Sequence, residues 1–158
     1  MNIEAFKELI ALHKIEERTI QGFWGGINNA KINEDDELED LFNSINKSWL
    51  ELIIHKISLA IIYDYSEFIE AELRIYLKDT YIGSYLCVFT LDGETADDIL
   101  RLEDYTFIRG LIAVEERTEE IAKLAISENL DDEMIQRFTG LNLQRINEIK
   151  SDPNSNKE

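Results

Sequence analysis

The sequence is poor in the residues that carry dedicated chemistry. Cysteine occurs once, as Cys87, so no intrachain disulfide can form, and a reducing compartment suits the chain. Histidine occurs twice. Neither His13 nor His55 has a Cys or His neighbour at ligand spacing, so the sequence predicts no zinc site. Proline occurs once, and the composition is that of a globular chain rather than a disordered or fibrous one. No long apolar run is present. The most apolar stretch, Trp49 to Tyr63, is interrupted by Glu51, His55 and Lys56, and is too short and too polar to span a bilayer. The opening Met1-Asn2-Ile3-Glu4-Ala5-Phe6-Lys7 lacks a basic start followed by an apolar run, so no secretory signal is expected. These absences predict a soluble, cytoplasmic protein. A phosphate-cradling glycine loop is also missing: Gly22 to Gly26 follows a helical pattern rather than a strand. Ser and Cys have no recognisable nucleophile elbow or paired base.

Bases are scarce too. The 158 residues hold 33 acids against 16 Lys and Arg, a net charge of −17. Such a field repels nucleic acid and anionic membranes and attracts basic partners. The charge is uneven. Residues 1–33 carry four acids and four bases, residues 34–110 eighteen and six, and residues 111–158 eleven and six. The middle segment therefore holds most of the field. At 44% apolar residues the chain has enough to build one core, with room for a short appendage.

Ile3, Phe6, Leu9, Ile10 and His13 recur at helical spacing and predict an amphipathic helix over 3–21, stopped by Gly22 and Gly25-Gly26. Asn33 followed by four acids reads as a capped helix start. The apolar positions from Leu38 to Ile61 then extend one face, giving a long second helix over 34–62 with a candidate break near Asn46. From Phe68 to Lys78 the period changes to strict alternation, which predicts a half-buried strand. Lys78-Asp79-Thr80 reads as a turn and Tyr81 to Leu91 as a second strand. Asp92-Gly93 is a strong turn signal, and Ile99 to Leu102 suits a short third strand. The short connections require an antiparallel meander. Helical spacing returns from Thr106. Asn129 ends one helix, Asp131 opens another that closes at Thr139-Gly140, and Leu143, Ile146 and Ile149 mark a last one. The predicted class is α+β, with the long helix packed on the meander, short helices following it, and no internal repeat. A core domain over 1–114, a helical appendage over 115–150 and a disordered tail over 151–158 complete the expected organisation.

Two acidic clusters are the candidate binding residues. Glu34 to Asp40 holds six acids in seven residues, with Asp35, Asp36, Glu39 and Asp40 as candidates to receive Lys and Arg of a partner; a solvated helix start is the alternative. Asp92, Glu94, Asp97 and Asp98 form the second cluster beside a strand end. Their spacing does not match a Ca²⁺ loop, and a turn with exposed acids is the plain alternative to docking. All six tyrosines lie between Tyr63 and Tyr105. Tyr76, Tyr81 and Tyr85, with Trp24, are candidate interface anchors, since a large rigid ring with a polar tip suits an interface; sheet packing explains them equally. A metal-dependent nuclease would need an acid-x-Lys on a strand. Glu70-Ala71-Glu72-Leu73-Arg74 lacks the Lys, and Glu148-Ile149-Lys150 falls on a predicted helix. The sequence thus predicts no cofactor, no metal and no enzyme chemistry.

Glu119 to Ile135, with Thr139-Gly140-Leu141 and Ile146, resembles the C-terminal tail of the Rpn-type transposase-related nuclease family. The resemblance covers about a fifth of the chain and implies a helix-turn-helix-like shape. The catalytic carboxylates of that family are not recognisable upstream, so nuclease activity is not carried over. A DNA-reading helix usually carries several bases, whereas this tail offers Arg145 and Lys150 against Glu148. Protein contact or self-association suits it better than DNA contact. The hairpin from Tyr81-Ile82-Gly83-Ser84-Tyr85 to Asp97-Asp98 is similar in style to small acidic bacterial immunity proteins, which neutralise cationic toxins such as nucleases. The leading expectation is therefore a non-enzymatic acidic binding protein of immunity or antitoxin type with a basic protein partner. The alternatives are a mobile-element or regulatory protein that oligomerises or touches DNA through its tail, and a DNA mimic.

Overall fold

A computed structural model describes residues 2–28, 36–61 and 66–151 of the chain. The class is α+β, a four-stranded antiparallel sheet with helices before and after it. The chain divides into two compact units, residues 1–108 and 109–158. The division falls four residues into a long helix. Among the described residues no helix is long and apolar enough to cross a membrane.

The first unit opens with helix α1 (Ile3–Leu12), capped by Asn2, whose side chain accepts from the Ala5 amide at 2.8 Å. The amphipathic run expected over 3–21 is not one helix. Lys14 takes a left-handed φ of +51°, which breaks it, and α2 (Ile15–Asn28) restarts on a new axis. Gly22, Gly25 and Gly26 do not stop α2; they lie inside it. Helix α3 (Asp36–Ser44) follows.

The long helix over 34–62 is overturned. The chain leaves α3 at Ser44, makes one 3-10 turn over Lys47–Trp49 capped by Asn46, and enters strand β1 (Leu50–Ile61). The segment reads both ways because Leu52, Ile53, Ile57, Ala60 and Ile61 fit helical spacing. It is also rich in β-branched residues, which lose rotamer freedom in a helix and pack well on a pleated surface. Pairing decides between the two: β1 runs antiparallel to β2 from Leu50 opposite Leu77 to Ile61 opposite Glu67.

Strands β2 (Glu67–Leu77) and β3 (Thr80–Thr90) are joined by a two-residue loop, with Lys78 at φ +54°. The third strand is longer than the sequence suggested: β4 covers Thr95–Leu102, so Asp97 and Asp98 are strand residues. The order is β1-β2-β3-β4, a meander whose edges are β1 and β4. Both edges carry features that deter further pairing, a bulge with exposed His55 and Lys56 on β1 and charged Asp97 and Asp98 on β4.

Alternation on β2 places Ile69, Ala71, Leu73, Ile75 and Leu77 on one buried face. Tyr85, Cys87 and Phe89 of β3 are buried beside them. Helix α2, rather than a long second helix, covers β2 and β3, presenting Ile15, Thr19 and Phe23. Buried Thr19 satisfies its hydroxyl by donating to the Ile15 carbonyl at 2.7 Å. Phe23 is the hub: its ring lies edge-on to Phe42 of α3 and to Tyr85, each at 5.9 Å. A fully buried Phe of this kind contributes roughly 2–3 kcal/mol through area removed from water.

The second unit is helical. Helix α4 (Tyr105–Ser127) runs into it and ends where Asn129 takes φ +58°. Asp131 caps α5 (Asp132–Thr139), accepting from the Met134 amide at 2.8 Å, and Gly140 closes it in the left-handed conformation. Asn142 then caps α6 (Leu143–Ser151) by accepting from the Arg145 amide at 2.9 Å. Ala122, Ala125, Ile135, Ile146 and Ile149 form its core, flanked by Ile126, Leu130 and Leu141. The tail expected over 151–158 begins with a helical Ser151; the rest of it lies outside the described residues.

Candidate acidic binding surface

The acidic turn between β3 and β4 is held from below by α2. One guanidinium nitrogen of Arg18 donates to the Gly93 carbonyl, and the other donates to the Thr95 hydroxyl at 3.2 Å. The same guanidinium lies 5.1 Å from the Phe89 ring centroid. Within the turn, the Thr90 amide donates to the Glu94 carbonyl at 2.8 Å and the Gly93 amide to the Thr90 carbonyl at 2.9 Å. Gly93 has φ +81°, and a Cβ there would fall 2.3 Å from the His13 ring. The α1–α2 junction and the turn are therefore fitted to each other, and only glycine meets both demands. Neither Arg18 nor His13 stood out in the sequence, because both contacts span about 75 residues and no local pattern marks them.

From this fixed backbone Asp92, Glu94, Asp97 and Asp98 all reach the surface. Asp97 accepts from the Asp98 amide at 2.9 Å, and Asp98 accepts from the Tyr85 hydroxyl at 2.8 Å. Tyr85 was expected as an accessible anchor; it is 3% exposed and belongs to the core. Burial, and then the hydrogen bond to Asp98, raises its phenol pKa well above the usual range. Burial, followed by the charge of Asp98, pushes the Cys87 thiol up to about 11. Cys87 is thus a protonated, enclosed thiol at neutral pH, without the thiolate character that reactivity needs.

The other anchors are elsewhere. Tyr76 and Tyr81 face each other across β2 and β3 with ring centroids 5.8 Å apart, beside the β2–β3 turn. The acidic turn is at the far end of β3, roughly 30 Å away at about 3.4 Å per residue. The structure does not bring these tyrosines and acids into one site. Trp24 is half-buried against Phe23, with the Lys47 ammonium 5.4 Å from its ring centroid.

Of the first acidic cluster, Asp35 and the side chain of Asp36 lie outside the described residues. Glu39 is half-buried and accepts from the Asn43 side chain at 3.3 Å, while Asp40 is exposed on α3. Among the described residues no three His, Cys, Asp or Glu side chains converge to hold a metal ion.

The bases of the last helix are engaged within the unit. Arg145 bonds both Glu119 and Glu148, the latter at 2.8 Å, and Lys150 pairs with Asp132. Burial disfavours the Arg145 charge, but the hydrogen bonds it donates to Glu119 and Glu148 outweigh it and raise the pKa. Comparison of the chain with protein-family models, curated proteins and solved structures finds no match.

Proposed function

We propose that this chain is a non-enzymatic acidic binding protein of immunity or antitoxin type, which neutralises a basic protein partner such as a nuclease toxin. The observation that carries the reading is the clamped β3–β4 turn. Arg18 holds its backbone while Asp92 and Glu94 project from it and Asp97 is exposed on the adjoining β4. A surface fixed before encounter loses little freedom on binding, and a cluster of one sign steers an oppositely charged partner. Apolar contacts would supply much of the affinity.

The test begins with capture of a partner at low salt and its purification. Association is then followed by stopped flow across ionic strength, for the native chain and for Asp92→Lys/Glu94→Lys/Asp97→Lys. Asp98 is spared because it holds Tyr85. Steering of this kind is worth roughly 10- to 1000-fold in rate at low salt, and the triple variant should lose most of it. An association rate indifferent to both salt and the substitutions sinks the proposal. A partner whose DNA site is blocked by the chain would favour the DNA-mimic reading instead. The reading of the tail as a DNA contact is weakened by the ion pairs that occupy Arg145 and Lys150.

A further inference from the structure

Helix α4 has two apolar faces. One buries Ile108, Ile112, Ala122 and Ala125. The other leaves Phe107, Val114, Ile121 and Leu124 exposed by 47%, 62%, 39% and 63%. With Gly110 and Arg117 these residues recur at alternating steps of three and four, which is the seam spacing of a coiled coil. The seam runs along about 26 Å of helix. Globular chains rarely leave four large apolar side chains aligned in water without a partner for them.

We propose that this seam pairs α4 antiparallel with α4 of a second copy of the chain. The argument is self-complementarity. A two-fold axis between Val114 and Arg117 sets Phe107 opposite Leu124 of the second copy, Gly110 opposite its Ile121, and Val114 opposite the aliphatic stem of its Arg117. Each large residue then meets a smaller or flexible one. A parallel pair would instead set Gly110 against Gly110, leaving a hole, and Arg117 against Arg117, bringing like charges together. The flanks agree with the antiparallel choice. Arg109, Glu116 and Glu120 are exposed beside the seam. Within one chain Arg117 pairs with Glu120 at 3.0 Å on the surface; in the antiparallel register Arg109 of the second copy comes alongside that Glu120, and its Glu116 lies near the Arg117 head. Gly110 points the same way. Glycine within a helix costs roughly 0.5–1 kcal/mol relative to alanine, and among the described residues nothing beyond its own stretch of helix lies within 4 Å of where its Cβ would be. No contact among the described residues calls for a glycine there, whereas close approach by Ile121 of a second helix does.

Sedimentation equilibrium of the full chain tests association, and disulfide capture tests the register. The native chain should approach twice the 18.4 kDa monomer mass as concentration rises. Val114→Lys and Leu124→Glu alter side chains already more than half exposed. Each should leave the circular dichroism unchanged and weaken association by at least about tenfold, since the first sets like charges against each other at Arg117 of the second copy and the second buries an unpaired charge beside its Phe107. In Phe107→Cys/Leu124→Cys the two new thiols lie about 25 Å apart on one helix and can join only across an antiparallel pair. This double variant should form a covalent dimer under mild oxidation while neither single variant does. A native chain that stays monomeric overturns the proposal, as does a dimer unaffected by both charge variants. Capture of the single variants as readily as the double would overturn the antiparallel arrangement.

Discussion

Gly22→Ala and Gly25→Ala, three residues apart in one helix, should change stability in opposite directions. Alanine in place of glycine inside a helix is ordinarily stabilising by roughly 0.5–1 kcal/mol. At Gly25 and Gly26 nothing among the described residues beyond their own stretch of helix lies within 4 Å of the added Cβ, so each should gain about that amount. At Gly22 the Cβ would fall 2.7 Å from the Tyr85 hydroxyl oxygen. The ring must then move, and the hydroxyl loses its 2.8 Å bond to Asp98. Overpacking costs roughly 1–3 kcal/mol. The lost hydrogen bond to a charged acceptor adds about 1 kcal/mol, kept low because Asp98 is solvated. After the helical gain is subtracted, Gly22→Ala should be destabilised by about 2 kcal/mol. Urea unfolding followed by tryptophan fluorescence suits the measurement, since Trp24 and Trp49 both lie in the first unit. The decisive control is Tyr85→Phe, which removes the oxygen and leaves ring carbons at an ordinary 3.6 Å from the Cβ. In that background Gly22→Ala should become neutral or stabilising. If Gly22→Ala is harmless in the native chain, or equally harmful in the Tyr85→Phe background, the notch between α2 and β3 is not what holds glycine there.

Four further outcomes follow from the contacts described above. Gly93→Ala must adopt φ +81° and meet the His13 ring, so it should cost more than about 3 kcal/mol. Arg18→Ala should cost about 1–3 kcal/mol and speed amide exchange in the β3–β4 turn. Cys87 has a folded pKa raised to about 11, so its contribution is full below its unfolded pKa near 9 and is lost as pH rises through about 11. Tyr85 is shifted in the same direction; unfolding midpoints should fall steeply across that window, and Cys87→Ala should flatten the fall. Arg145→Met should loosen the second unit, since it removes the ion pair to Glu119, whose side chain is 14% exposed. The Glu148 pKa is lowered by its bond from Arg145 and then by Gln144. Its contribution is therefore present above the ordinary carboxylate range and lost as pH falls through the lowered value, and circular dichroism on acidification should show that step shrink in Arg145→Met.

Sequence determined this protein wherever the signal is local. Alternation from Phe68 to Thr90 marked β2 and β3, because side chains on a strand change face at every residue. Asp131, Gly140 and the apolar spacing of Ile135, Ile146 and Ile149 marked the helices of the second unit, because caps act within a turn. The charge distribution marked the turn at Asp92–Glu94 as a surface to test. Tertiary structure decided the rest. Leu50 to Ile61 satisfies helical and strand patterns alike, and only pairing with β2 chose the strand. Asp97 and Asp98 disguised β4, which tolerates charge because it is an edge. Gly22 reads as a stop and is a notch, since the phenol that needs the space comes from 63 residues away. Tyr76 and Tyr81 are parted from the acids by the length of β3, because an extended strand carries its two ends to opposite ends of the sheet. Local patterns fix the faces of each element; which faces meet is settled only by packing, and both the clamped acidic turn and the open seam of α4 are products of that choice.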